Sequence, residues 1–202
     1  RMLDTLDLEK ERGITIKLQT ARMQHSYTGD DDNFKEKPEY ILNLIDTPGH
    51  VDFSYEVSRS LAAAQGAILL VDATQGIQAQ TLTTVYKAFE HDLEIIPVLN
   101  KIDLPSANVE RITEELVNVF GFKPEEILHT SGKTGEGVPE LLTTIIERVP
   151  APELPESETT KALIFDSFYH EYKGVVALIA LTQGEIKQIE EVYIIGSETK
   201  IE

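Results

Sequence analysis

Two apolar runs constrain this chain more than anything else in it: Gly66–Val71 and Ile95–Leu99, each closed by one polar residue, Asp72 and Asn100. A strand with one wet face alternates in polarity, whereas a strand buried on both faces reads as an unbroken apolar run and belongs to a helix-covered parallel sheet. The covering helices are visible in the pattern. Ser54–Ala64 is predicted to turn Tyr55, Val57, Leu61 and Ala64 inward, and Gln78–His91 follows the first apolar run. Asn108–Phe120 stops at Gly121, where a left-handed cap needs no Cβ. Val138–Arg148 follows a short strand at Ile127 and Leu128. Upstream, Gly13-Ile14-Thr15-Ile16 is followed by an alternating run to Tyr27 that reads as a strand, turns at Gly29–Asn33, and returns as Tyr40–Ile45. This succession predicts an α/β domain over residues 1–149, built on a doubly wound, mostly parallel sheet.

Pro150, Pro152 and Pro155 forbid a continuing helix, so residues 150–159 read as a linker. Beyond it, Ala162–Phe168, Gly174–Thr182 and Val192–Ile195 are predicted strands, with turns at Tyr172–Gly174 and Gln183–Gly184. Residues 160–202 are too few to close a barrel and read as the opening of an all-β one. At 202 residues and 41% hydrophobic composition the chain can bury a substantial core. A formal charge of −17 argues against binding nucleic acid by bulk electrostatics. The chain has no cysteine, which fits a reducing compartment with the cytosol as default, and no run of apolar residues long enough to span a membrane. Opening on Arg1 within a charged segment and closing on Glu202 within a strand-like pattern, it reads as an excerpt with both ends cut.

Polar loops at the carboxyl ends of parallel strands are where such sheets bind ligands. Asp46-Thr47-Pro48-Gly49-His50 sets a carboxylate where a phosphate-bound Mg²⁺ would sit. Gly49 allows its N–H to approach a terminal phosphate, and His50 is placed to orient an attacking water. The bland alternative for this loop is a tight turn with a helix-capping Asp. Thr15, in Gly13-Ile14-Thr15-Ile16, offers a hydroxyl on a segment able to close over Mg²⁺ and a γ-phosphate, although a Thr among β-branched residues is also an ordinary strand residue. In Asn100-Lys101-Ile102-Asp103, the amide and carboxylate face the edge of a purine. Guanine presents N1–H and N2–H₂ side by side, a pair that one carboxylate accepts together and that adenine lacks, so Asp103 is the predicted base reader. Ser131-Gly132-Lys133 is predicted to bring backbone N–H groups to the guanine O6, with the Lys133 stem on one face of the base and Lys101 on the other. Together these loops predict GTP or GDP bound with Mg²⁺.

Gly132-Lys133-Thr134 also imitates the end of a phosphate loop. The glycine required five residues earlier is Ile127, and G-x-x-x-x-G-K-[ST] occurs nowhere in the chain.

These residues together resemble the translational GTPases. Arg12–Ile16 is similar to switch I, Asp46–His50 to switch II, and the loops at Asn100–Asp103 and Ser131–Lys133 to the pair that reads the base. The longer strings Asp7–Lys17, Asp52–Ala63 and Val98–Pro105 are most similar to the LepA-type, elongation factor 4 branch, and Asp166–Val176 extends that match into the second domain. The resemblance implies the P-loop GTPase fold, with its first strand and phosphate loop outside this chain, followed by the start of a β-barrel domain. It implies a ribosome-dependent GTPase with rRNA and ribosomal proteins as partners. Thr15 and Asp46 then serve Mg²⁺, the latter through water, Gly49 contacts the γ-phosphate, His50 positions the hydrolytic water, and Ile14 forms half of an apolar gate. A cytoplasmic monomer is expected, with peripheral attachment to the inner membrane face as in the family and a mitochondrial matrix location left open. Another translational GTPase, such as elongation factor G, and a nucleotide-incompetent ribosome-binding scaffold are the alternatives.

Two departures stand out. Gly132 occupies a position where the family commonly has alanine, and Gln188–Glu191 replaces the usual Gly-Asp turn of the second domain. In the implied fold the absent first strand lies between Tyr40–Ile45 and Gly66–Val71. Residues 1–202 alone are therefore expected to be poorly stable and to bind GTP weakly.

Overall fold

A computed structural model describes residues 18–35, 39–48, 53–153, 155, 157, 159–187 and 191–201. The predicted site residues Thr15, Gly49 and His50, the gate residue Ile14 and most of the Gln188–Glu191 turn lie outside the described residues. The elements run β1 (Gln19–His25), α1 (Asp32–Lys35), β2 (Tyr40–Asp46), α2 (Ser54–Ala63), β3 (Gly66–Asp72), α3 (Ala79–Glu90), β4 (Glu94–Asn100), α4 (Val109–Phe120), β5 (Leu128–His129), α5 (Val138–Arg148), β6 (Lys161–His170), β7 (Gly174–Gln183), β8 (Val192–Ile194) and β9 (Thr199–Ile201). Arg1–Ala151 and Pro152–Glu202 are separate compact units.

The first unit is α/β. Its parallel sheet has the order β3-β4-β5, with β4 in the middle. The apolar run of β4 is buried from Ile95 through Leu99, as a strand covered on both faces requires. Pro97 cannot donate to a ladder, and β5 joins only beyond it, at Val98 and Leu99. On one side of the sheet, Val57 and Leu61 of α2 and Val85 and Ala88 of α3 close over Ile95. Ile112 and Leu116 of α4 pack with Val71, Leu99 and Ile127. Asn108 caps α4 by accepting the Arg111 N–H, and Gly121 ends it at φ 79°, the left-handed cap expected of a glycine there.

β1 and β2 form their own antiparallel hairpin, in register from Gln19 opposite Asp46 to His25 opposite Tyr40. β2 and β3 belong to different sheets, and no strand of the described residues lies between them. The connection from β1 to β2 holds a helical turn, α1, where only a turn was expected. Asp31 Oδ1 accepts the Asn33 backbone N–H at 2.9 Å, and Phe34 packs between Tyr27 and Tyr40.

Tyr55 corrects the predicted inward face of α2, since it is 68% exposed while Val57, Ser60 and Leu61 are buried. Two residues before Val57, it projects roughly 200° away around the helix. Its ring there receives the Arg59 guanidinium, 4.7 Å from the centroid.

The second unit is all β among the described residues. β6 and β7 pair as an antiparallel hairpin interrupted by register shifts, and β8 pairs with β9, a strand the alternation pattern did not reveal. The two pairs are separate two-stranded sheets.

Candidate guanine-nucleotide site

The parallel register sets Asp72 beside Asn100 at the carboxyl end of the sheet. β5 delivers the third loop to the same edge: the Thr130 N–H donates to the Leu99 carbonyl at 2.7 Å, and the Ile102 N–H donates to the Thr130 carbonyl at 3.4 Å. Sheet geometry alone thus gathers the chain around residues 72, 100–103 and 130–133 at one edge.

Two hydrogen bonds join the predicted base-reading loops. The Gly132 N–H donates to Asn100 Oδ1 at 3.1 Å, and the Ser131 hydroxyl donates to Asp103 Oδ1 at 2.7 Å. Ser131 is completely buried, and its Oγ also accepts the Thr134 N–H at 3.1 Å. The Ser131 N–H donates to the Glu136 carbonyl at 3.0 Å, folding the loop back on itself. Asn100, Asp103, Ser131 and Gly132 are therefore one connected group.

The bond from Gly132 settles which way the Asn100 amide points, with Oδ1 inward. Its Nδ2 is left without an acceptor among the described residues, ready to donate to a ring nitrogen. Asp103 keeps Oδ2 and a lone pair on Oδ1, the acceptors that the N1–H and N2–H₂ edge of guanine requires. One expectation needs correcting. The Gly132 and Ser131 N–H groups are both engaged within the protein, so of the three backbone donors predicted for O6 only that of Lys133 has no acceptor among the described residues. The donor set fits a guanine base with that adjustment.

Lys101 is exposed at the loop's bend, in the left-handed region with φ 65°. Its Nζ lies 2.5 Å from Asp72 Oδ2. Asp72 also accepts the Thr74 N–H at 2.8 Å and the Thr74 hydroxyl at 2.6 Å. Burial pushes the Asp72 carboxyl up, but the hydrogen bonds from Lys101 and Thr74 outweigh it and hold the group below its ordinary range. Asp72 was missed as a site residue. Its one signal in the sequence is that it ends its apolar run just as Asn100 ends the other.

Asp46 is half-buried at the end of β2, opposite Gln19, and Pro48 just beyond is fully buried. A carboxylate at a strand end suits a cation held mainly by phosphates and waters, which takes one or two protein ligands rather than a cage. Gly132-Lys133-Thr134, the imitation of a phosphate loop, forms the turn after β5, where the Thr134 N–H donates to Ser131 Oγ.

A family model described as the elongation factor Tu GTP binding domain matches residues 1–151. The chain is 51% identical over 200 residues to elongation factor 4 of Flavobacterium johnsoniae, covering 99% of this chain and 32% of that protein. It is 54% identical over 199 residues to elongation factor 4 of Bifidobacterium animalis subsp. lactis, covering 98% of this chain and 30% of that one. The chain thus spans about a third of the length of the curated relatives it matches. Among solved structures, that of a bacterial selenocysteine-specific elongation factor superposes with a TM-score of 0.74 at 25% identity, over 98% of this chain and 33% of the other.

Proposed function

Because the chain belongs to the elongation factor Tu GTP-binding domain family, we propose that it serves a translation factor that binds GTP with Mg²⁺ and hydrolyses it to GDP and phosphate on the ribosome. Asp103 accepts the N1–H and N2–H₂ groups of the base, Asn100 Nδ2 donates to a ring nitrogen, and the Lys133 N–H donates to O6. The Lys101 and Lys133 stems lie on opposite faces of the ring. Thr15 and Asp46 serve the cation, Asp46 through water, and Gly49 meets the γ-phosphate. His50 orients the attacking water. Mg²⁺ supplies neutralisation of the phosphate charge. A cytoplasmic monomer with the ribosome as partner completes this reading, and the relatives named elongation factor 4 support its role in translation.

The observation that carries this reading is the double tie between the loops, Asn100 to Gly132 and Ser131 to Asp103. It presents a carboxylate acceptor and an amide donor from a single rigid edge, the complement of guanine and not of adenine.

The test is Asp103→Asn in the full-length parent. Xanthine carries a carbonyl where guanine carries the N2 amine, so an amide donor suits it better than a carboxylate does. GTP affinity is expected to fall by at least about tenfold, with xanthosine triphosphate binding gained. Unchanged affinities for GTP and xanthosine triphosphate overturn the base-reading assignment, and a parent that binds no nucleotide is the scaffold instead. Residues 1–202 by themselves are expected to bind GTP weakly, having no G-x-x-x-x-G-K-[ST]. Micromolar affinity refutes that.

A further inference from the structure

The β3–α3 loop meets the base-reading edge through a contact that the roles assigned above leave unused. Asp72 is held by its own turn: Oδ1 accepts the Thr74 N–H and hydroxyl, and Oδ2 accepts from Gln75 Nε2 at 3.4 Å. With its carboxylate fixed, Oδ2 takes the Lys101 ammonium at 2.5 Å, across 29 residues of sequence. The backbone repeats the tie, since the Ala73 N–H donates to the Asn100 carbonyl and the Asn108 N–H to the Ala73 carbonyl, both at 2.9 Å. Lys101 has a backbone conformation that side-chain-bearing residues rarely adopt, at φ 65°. A lysine on a bend, half exposed, would ordinarily sample many rotamers. Here both ends of the side chain are anchored, the Cα by the bend and the ammonium by Asp72, and only the apolar stem between them is free to meet a ligand.

We propose that Asp72 is a positioning residue for the guanine base, pairing with Lys101 so that the lysine stem is already laid out as one wall of the base slot before nucleotide arrives. This rests on the guanine-nucleotide reading of the site. Anchoring a long side chain beforehand removes part of the ordering entropy that binding would otherwise cost. The consequence falls on nucleotide retention, while the choice of guanine stays with Asp103.

The experiment is a double-mutant cycle on the dissociation rate of fluorescent GDP from the full-length parent. Asp72→Asn keeps an oxygen for the Thr74 N–H and hydroxyl but loses the ion pair. Lys101→Met keeps the stem and loses the ammonium. Asp72→Asn is expected to speed GDP release roughly threefold, the scale of an exposed ion pair. In the Lys101→Met background it should add nothing. A purely structural Asp72, acting through its turn, would speed release equally in both backgrounds, and that result overturns the proposal. Lys101→Arg, which keeps a cation for Asp72, should release GDP more slowly than Lys101→Met. Should Asp72→Asn fail to fold, Lys101→Met releasing GDP at the parent rate refutes the proposal by itself. A parent that does not bind GDP sinks the guanine reading instead, so the two failures are distinguishable.

Discussion

Gly132 donates its backbone N–H to Asn100 Oδ1 at 3.1 Å across 32 residues of sequence, and it does so without using a side chain. A Cβ built on Gly132 would meet Asn100 Oδ1 at 3.9 Å and Nδ2 at 4.0 Å, ordinary van der Waals contact. The alanine common in the family at this position is therefore compatible with this loop. Gly132→Ala should leave GDP affinity unchanged and raise stability by about 0.4–1 kcal/mol, through a less flexible unfolded chain. Calorimetric titration and a urea melt measure both. A tenfold weaker affinity would mean that the loop needs a glycine for the ligand and not for its own geometry.

Ser131 is the reverse case, because its side chain carries the bond. Fully buried, its hydroxyl donates to Asp103 and accepts from Thr134. Ser131→Ala leaves the Thr134 N–H without its acceptor and lets the Asp103 carboxylate swing. A loss of about 1–2 kcal/mol of stability is expected. GDP binding should weaken with it. Unaltered binding would show that Asp103 is oriented by something other than Ser131.

What was legible in the sequence follows from the range of the forces involved. β3 at Gly66–Asp72 and α5 at Val138–Arg148 have the boundaries their patterns predict, because an apolar run and a helical period are written in consecutive residues. The burial of β3 on both faces is not found, since Leu70 is 58% exposed and Val71 alone is buried. Asn100, Asp103, Ser131 and Gly132 were legible as a group because loops at the carboxyl ends of parallel strands converge by topology. Asp72 was not, since its partner lies in another loop and a lone Asp after a strand looks like any turn residue. Tyr55 was misread because an aromatic residue near the start of an amphipathic helix counts as apolar whether it packs on a core or on Arg59. α1 depends on Asp31 and on ring contacts with both flanking segments, and no period announces it.

The Asp72 carboxyl makes the stability of this edge depend on acid. Burial raises its pKa, the bonds from Lys101 and Thr74 lower it more, and the folded value lies below the ordinary carboxyl value. A depressed folded pKa means that the contribution is fully present above the unfolded value and disappears as pH falls through the folded one. The stability difference between the parent and Asp72→Asn should therefore be constant near neutrality and shrink below about pH 4. Urea midpoints of both proteins, followed from neutral to about pH 3, read it out. A difference that persists unchanged at the acid end would contradict the ion pair.

Gly137 supplies the contrast to Gly132 within the same loop. It precedes α5 at φ 70°, and a Cβ there would lie 2.0 Å from the His129 carbonyl oxygen, 3.1 Å from its carbon and 3.3 Å from Thr130 Cα. All of these are backbone atoms of β5 and the residue after it, so no rotamer change relieves the clash. The loop must move, and with it the Ser131 N–H bond to the Glu136 carbonyl that folds it back. Gly137→Ala should cost roughly 3 kcal/mol or more, since an unfavourable φ adds to the overlap. Because the displaced segment carries Ser131 and Gly132, GDP release should quicken as well, although residue 137 is not itself among the residues assigned to the base. Chemical denaturation and GDP release measured on the same preparation separate these effects. Parent-like stability would show that the loop does not pack against His129 in solution, and parent-like release beside a large loss of stability would show that the base-reading loop is held from the Asn100 side alone.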